Sequence, residues 1–187
     1  MSPFTLHATP IDDLQVIERR RIVDARGYLE RAYCHEMLSP LVQEKPIRQI
    51  NRTVTLKNGT VRGLHFQNPP HCEIKLVSCV RGEVFDVAVD LRRGSPTFLK
   101  WHAEVLSEGN SLTFLIPEGF AHGFQTLSDD CELLYLHTAD HNAQFEGALN
   151  ALDPALDIAW PLPVSHRSER DEKHVMLSSD FKGIEPS

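Results

Sequence analysis

The sequence predicts an all-β fold, a sandwich or barrel, and three observations predict it. Apolar and polar residues alternate with period two, the alternating runs last about five to nine residues, and turn residues separate them at regular spacing. Taken in order, residues 11 to 34 read as short extended segments, with Asp24-Ala25-Arg26-Gly27 as a turn between them. Residues 36 to 44 can hold one short helix. Beyond them strands are predicted over 48–56, 60–66, 74–80, 83–91, 99–106, 111–116, 123–127 and 131–138. The turns between have the expected chemistry: Lys57-Asn58-Gly59, Arg81-Gly82, Arg93-Gly94-Ser95-Pro96, Glu108-Gly109-Asn110 and Ser128-Asp129-Asp130. After Leu149 the chain turns to proline and aspartate, and then to the charged run 168–173. The whole of residues 1–187 reads as one domain: N-terminal strands and a short helix over 1–47, a barrel core over 48–140, and a C-terminal tail over 141–187 packed on the barrel.

Composition excludes several classes of function. Acidic residues outnumber basic ones by 26 to 19, a net charge of −7, which disfavours a nucleic-acid-binding face. An anionic ligand would have to be met by local positive groups. No apolar run approaches the roughly 18 residues of a membrane span. The N-terminal stretch carries Asp12 and Asp13 instead of the basic and apolar regions of a signal peptide, so a cytoplasmic site is expected. Cys34, Cys72, Cys79 and Cys131 lack C-x-x-C spacing and read as small, partly buried thiols.

Pro117-Glu118-Gly119-Phe120-Ala121-His122 fits P-x-G-x-x-H, the second signature of the cupin barrel, and Gly59 with His65 fits the opening of the first. A metal-binding cupin continues that first signature with H-x-H, a glutamate, six residues and a glycine. Here Gln67 takes the second histidine's place, and Lys75 takes the glutamate's place as counted back from Gly82. An ammonium repels a divalent ion where a carboxylate would bind it, so neither metal nor cofactor is expected. An inward lysine beside His65 and His122 is costly unless a negatively charged ligand answers it. Such a group suits proton abstraction next to a carbonyl, in which a base removes the α-proton and fixed donors stabilise the enolate oxygen.

Four blocks of sequence resemble the dTDP-4-dehydrorhamnose 3,5-epimerase family of nucleotide-sugar enzymes: Val61-Arg62-Gly63-Leu64-His65-Phe66-Gln67, Gly82-Glu83-Val84-Phe85-Asp86-Val87-Ala88-Val89-Asp90-Leu91-Arg92, Ile116-Pro117-Glu118-Gly119-Phe120-Ala121-His122-Gly123-Phe124 and Asp153-Pro154-Ala155-Leu156. The resemblance runs over residues 22–171. It implies a metal-free cupin jelly roll, a homodimer, that acts on a dTDP-linked nucleotide-diphosphate sugar in deoxysugar biosynthesis. It implies that His65 takes a proton from C3 or C5 of a 4-keto-6-deoxy sugar. Asp171 matches the carboxylate that holds that imidazole, and Tyr135 the phenol that reprotonates the opposite face. Lys75 and His122 would face the developing enolate or the sugar, and Arg62 the diphosphate. Arg26, Gln49, Asn51, Glu146 and Arg170 match further ligand-contacting positions.

The chain departs from the family on the nucleotide side. Asp140 and His141 stand where the family has a tyrosine pair, leaving His141 to stack on the base, and Arg31 replaces a glutamate that helps to place the nucleotide. The segment Glu146-Gly147-Ala148-Leu149-Asn150-Ala151-Leu152 replaces the usual R-G-x-R-W-D before Asp153-Pro154. Two other functions fit the same residues: a ketoisomerase, which would return the proton to oxygen, and a non-catalytic sugar-binding cupin.

Overall fold

Alternating side chains fold as strands because period two places the apolar set on one face of each. The computed structural model describes residues 2–186. Its strands are β1 (Phe4–Ala8), β2 (Gln15–Arg19), β3 (Arg21–Asp24), β4 (Gly27–Glu30), β5 (Gln49–Thr55), β6 (Val61–Gln67), β7 (Lys75–Arg81), β8 (Glu83–Asp90), β9 (Trp101–Ser107), β10 (Leu112–Ile116), β11 (Phe120–Thr126), β12 (Cys131–His137) and β13 (Glu146–Ala148). Two short helices, α1 (His35–Leu38) and α2 (Glu169–Glu172), lie outside the sheets.

A six-stranded sheet, β1-β2-β10-β7-β12-β5, packs on a five-stranded sheet, β13-β6-β11-β8-β9, while β3 and β4 form a separate hairpin. All the strand pairs in these sheets are antiparallel. This is the cupin jelly roll. Val77, Val84, Leu106, Phe114, Phe124 and Leu133 fill the space between the sheets, each such side chain contributing about 1.5–3 kcal/mol of burial. Both outer faces are also covered. Leu149, Leu156, Trp160 and Phe181 of the tail pack over Val61, Val87 and Val89. Leu38 and Val42 pack over Ile17, Leu76, Leu115 and Leu136.

Several elements differ from the expectation: α2 forms within the charged run 168–173, and β11 begins three residues before the strand read over 123–127. β1 lies upstream of residue 11; only Phe4 of its five residues is buried, so this edge strand has no alternation to detect. The helix expected over 36–44 is α1 followed by a 3-10 turn, Ser39–Val42, because Pro40 supplies no N–H to continue an α-helix. β13 has three residues, too few to show a period, yet it completes the edge of the five-stranded sheet beside β6.

Two apolar surfaces are left open. Ile22, Val23, Tyr28 and Leu29 are exposed on the β3–β4 hairpin, and Ile50, Val54 and Leu56 lie along the edge strand β5 or just past its end. None of the four cysteines is in a disulfide, and burial pushes the Cys79 thiol up to about 12. Among the described residues no helix is long and apolar enough to cross a membrane.

Candidate active site

A cavity of about 180 Å³ opens between the two sheets, and each sheet contributes one wall. A larger hollow of about 410 Å³ lies beside Pro40 and Pro117, but its charges are already paired, Arg92 with Asp90 and Asp13 and Glu118 with Lys45. None of the predicted site residues lines it.

On the five-stranded wall, His65 of β6 is directly opposite His122 of β11. The strands approach closely here because both carry glycine. A Cβ on Gly63, whose φ is +119°, would stand 2.6 Å from the Gly123 Cα. His65 Nε2 lies 2.8 Å from Asp171 Oδ1, and the Gly63 N–H donates to Asp171 Oδ2 at 3.3 Å. Asp171 is carried by α2, whose N-cap Ser168 accepts the Asp171 N–H at 3.0 Å, while Arg167 donates to the Asp171 carbonyl. Burial pushes the Asp171 carboxyl up, but the hydrogen bond and charge of His65 outweigh it and hold the group at about 2. With Nε2 on this carboxylate, Nδ1 is the ring atom left for chemistry. His122 repeats the pattern: its Nε2 lies 2.7 Å from Asp86 Oδ1, and Asp86 is fully buried. Burial raises the Asp86 carboxyl against the opposing pull of His122 and Lys75.

The six-stranded wall carries Asn51 and Thr53 of β5, Lys75 of β7, and Tyr135 and His137 of β12. Tyr135 and His137 are two residues apart on one strand, so they share a face, with ring centroids 6.0 Å apart and planes at 15°. Burial and the charge of Asp86 push the Tyr135 phenol far up, which keeps it protonated. The interior lysine was expected to need an anionic ligand; instead Lys75 Nζ is 3.2 Å from Glu73 Oε1 and also donates to the His65 carbonyl at 3.3 Å. Glu73 Oε2 is in turn 2.7 Å from His137 Nδ1. Burial raises the Glu73 carboxyl, but Lys75 and His137 bring it down to about 2.

Gln67, at the absent cupin ligand position, binds no group in the cavity. Its amide N–H groups donate to the carbonyls of His71 at 3.1 Å and Asp140 at 3.4 Å, and its Oε1 accepts the Asn142 N–H at 2.7 Å. His65, Asp171 and His174 bring one donor atom each within 4.8 Å of one another, a set that could take a divalent ion and that shares only His65 with the cupin signature. In that set the His174 Nε2 lies 3.2 Å from Asp171 Oδ1 and its ring stands edge-on to His65.

The structure thus brings His65, Tyr135, Asn51, Arg62, Lys75 and His122 to one cavity, with Asp171 behind His65. Arg62 Nε donates to Thr55 Oγ1 at 3.0 Å. Glu146 pairs with Arg170 and with His141, at 3.5 Å from the latter, and Gln49 Oε1 accepts the His141 N–H at 3.1 Å, forming a separate polar group at the β13 end. Arg26 joins neither group: it is 90% exposed on the β3–β4 turn and pairs with Asp24. Sequence reasoning missed Glu73, Asp86, His137 and His174. Only His137 carried a local signal, its i+2 spacing from Tyr135 in an alternating strand.

The family model for dTDP-4-dehydrorhamnose 3,5-epimerase matches residues 8–179. This chain belongs to the dTDP-4-dehydrorhamnose 3,5-epimerase family. As a member of that family it is 42% identical over 154 residues to the dTDP-4-dehydrorhamnose 3,5-epimerase of Salmonella typhimurium, covering 82% of this chain and 84% of the relative. It is 40% identical over 168 residues to the enzyme of the same name from Sinorhizobium fredii, covering 89% and 86%. A crystal structure of dTDP-6-deoxy-D-glucose-3,5-epimerase from Legionella pneumophila, in complex with dTDP-4-keto-L-rhamnose, superposes with a TM-score of 0.90 at 35% identity over 98% of both chains.

Proposed function

We propose that this epimerase-family chain inverts C3, C5 or both of a nucleotide-linked 4-keto-6-deoxy sugar, with dTDP as the carrier. One observation carries the proposal: an imidazole held by a carboxylate on one wall of the cleft shares the cavity with a buried phenol on the other. His65 takes the proton next to the C4 ketone, and the C–H electron pair moves into the enolate. Asp171 holds the imidazole and stabilises its charge once the proton arrives. His122 and Lys75 offer donors to the enolate oxygen, and preorganised donors in a partly dry site are worth more than the same groups in water. Tyr135 then delivers its proton to the opposite face of the carbon, which completes inversion, and recovers one from solvent.

Arg62 and Arg26 are assigned to the diphosphate, Arg62 from the rim of the same cleft and Arg26 from a second copy of the chain. The exposed apolar hairpin and the open β5 edge support a homodimer in which the β3–β4 turn reaches the partner's cleft. Asn51, Gln49, His141, Glu146 and Arg170 complete the sugar and nucleotide contacts. Four cysteines outside any disulfide are in keeping with a cytoplasmic site.

The test is incubation with dTDP-4-keto-6-deoxyglucose in deuterated water, followed by NMR at C3 and C5. Deuterium with inverted configuration is expected. No exchange would leave a sugar-binding protein, and migration of the carbonyl to C3 would make it a ketoisomerase.

A further inference from the structure

Glu73 and His137 form an enclosed hydrogen-bonded pair in the cleft that the mechanism above does not use. His137 is 9% exposed, lines the cavity, and lies on the wall facing His65. Its Nδ1 is held by Glu73 at 2.7 Å, and Glu73 is fixed by Lys75 from its other oxygen. That leaves His137 Nε2, whose neighbour is Asn51 Nδ2 at 3.4 Å. An amide can serve such a nitrogen in either protonation state, offering NH2 to a lone pair or turning its oxygen toward an N–H. The geometry therefore matches that of His65 and Asp171 on the other wall: a ring tethered through one nitrogen, with the second free to exchange a proton. A satisfied core histidine would not need a carboxylate desolvated beside it.

We propose that His137, anchored by Glu73, is a second proton donor to the sugar, returning the proton at one of the two carbons flanking the ketone while Tyr135 serves the other. This rests on the epimerase reading. C3 and C5 lie on either side of C4, so one base can reach both positions from one wall, and two donors side by side on β12 match the two sites of protonation. In the step itself the His137 Nε2–H bond breaks and a C–H bond forms from the enolate pair. The neutral ring then takes a proton from solvent, so no oxidant or cofactor enters.

The experiment measures inversion separately at C3 and C5, by NMR in deuterated water with dTDP-4-keto-6-deoxyglucose, for the wild type, His137→Asn, Glu73→Gln and Tyr135→Phe. Wild type inverts both carbons. His137→Asn is expected to slow inversion at one carbon by ~10²-fold or more relative to the other, with Tyr135→Phe showing the opposite bias. Glu73→Gln is expected to give a weaker loss at the His137-dependent carbon, with KM for the sugar nucleotide changed less than kcat. Equal losses at both carbons in His137→Asn, the result of a merely structural role, would overturn the proposal, as would unchanged rates or a wild type that inverts one carbon only. A wild type that exchanges neither proton would overturn the epimerase reading itself.

Discussion

The two walls of the cleft hold their imidazoles in different ways. On the five-stranded wall the carboxylate for His65 comes from α2, 106 residues away in sequence, in a short helix docked on the barrel. On the six-stranded wall Glu73 stands two residues before Lys75 and holds both that lysine and His137. The first wall depends on the tail being in place; the second is built into the sheet and the loop that feeds it. Short segments with few buried contacts open more readily than core strands. The wall that carries His65 is thus the more easily loosened of the two.

Replacing His65 by Ala has the largest expected effect on this contrast. Exchange at the sugar carbons should fall by ~10²–10⁴-fold while nucleotide binding, measured by calorimetry, is largely kept. Exchange at wild-type rate would place the base on the other wall. Next comes Tyr135→Phe, which keeps the ring and removes its proton. Deuterium should still enter, now with retained configuration at the affected carbon, and epimer formation should drop by ~10²-fold.

Acid should act on the walls together, because Asp171 and Glu73 are both held at about 2 when folded. A carboxyl with a depressed folded value stabilises the fold above its ordinary range, and that contribution is lost as pH falls through about 4 toward 2. Thermal unfolding followed across this window should show the loss, and Glu73→Gln should make it shallower. Asp86, raised by burial, acts in the opposite direction and in a different window: its protonation favours the fold as pH falls toward the ordinary carboxyl range, before the loss at Asp171 and Glu73 begins. The smallest expected effect belongs to Arg26→Ala. It should raise KM by about tenfold, the worth of one hydrogen bond to a charged group, and leave kcat unchanged. An unchanged KM would free the hairpin from any role in binding.

Most of the barrel was legible because its strands alternate, and His65 and His122 were legible because the cupin signatures fix their spacing. The partners of these histidines were not. Asp86 reads as one polar residue in an apolar strand, and its bond to His122 crosses 36 residues that only the sheet brings together. Lys75 looked like a charge awaiting a ligand, since nothing local reveals that Glu73 turns back onto it. Arg26 lies in the turn read from the sequence, but exposed on a hairpin that does not line the cleft of its own chain. Sequence spacing reports the face of a strand; which groups meet across two sheets depends on topology.

Gln67 has a consequence for how this barrel can change over evolutionary time. Its amide joins the segment after β6 to the segment after β12 by three hydrogen bonds, two given and one received. An imidazole has only two ring nitrogens and cannot reproduce that clasp. Gln67→His would therefore give up part of the tie to the 140s loop, which Gln49 and Arg48 would still hold at His141 and Asp140, while Lys75 still repelled an ion. The two departures from the metal-binding signature thus stand together: Gln67 ties the loops beside the cavity, and Lys75 sets an ammonium where that signature has a carboxylate.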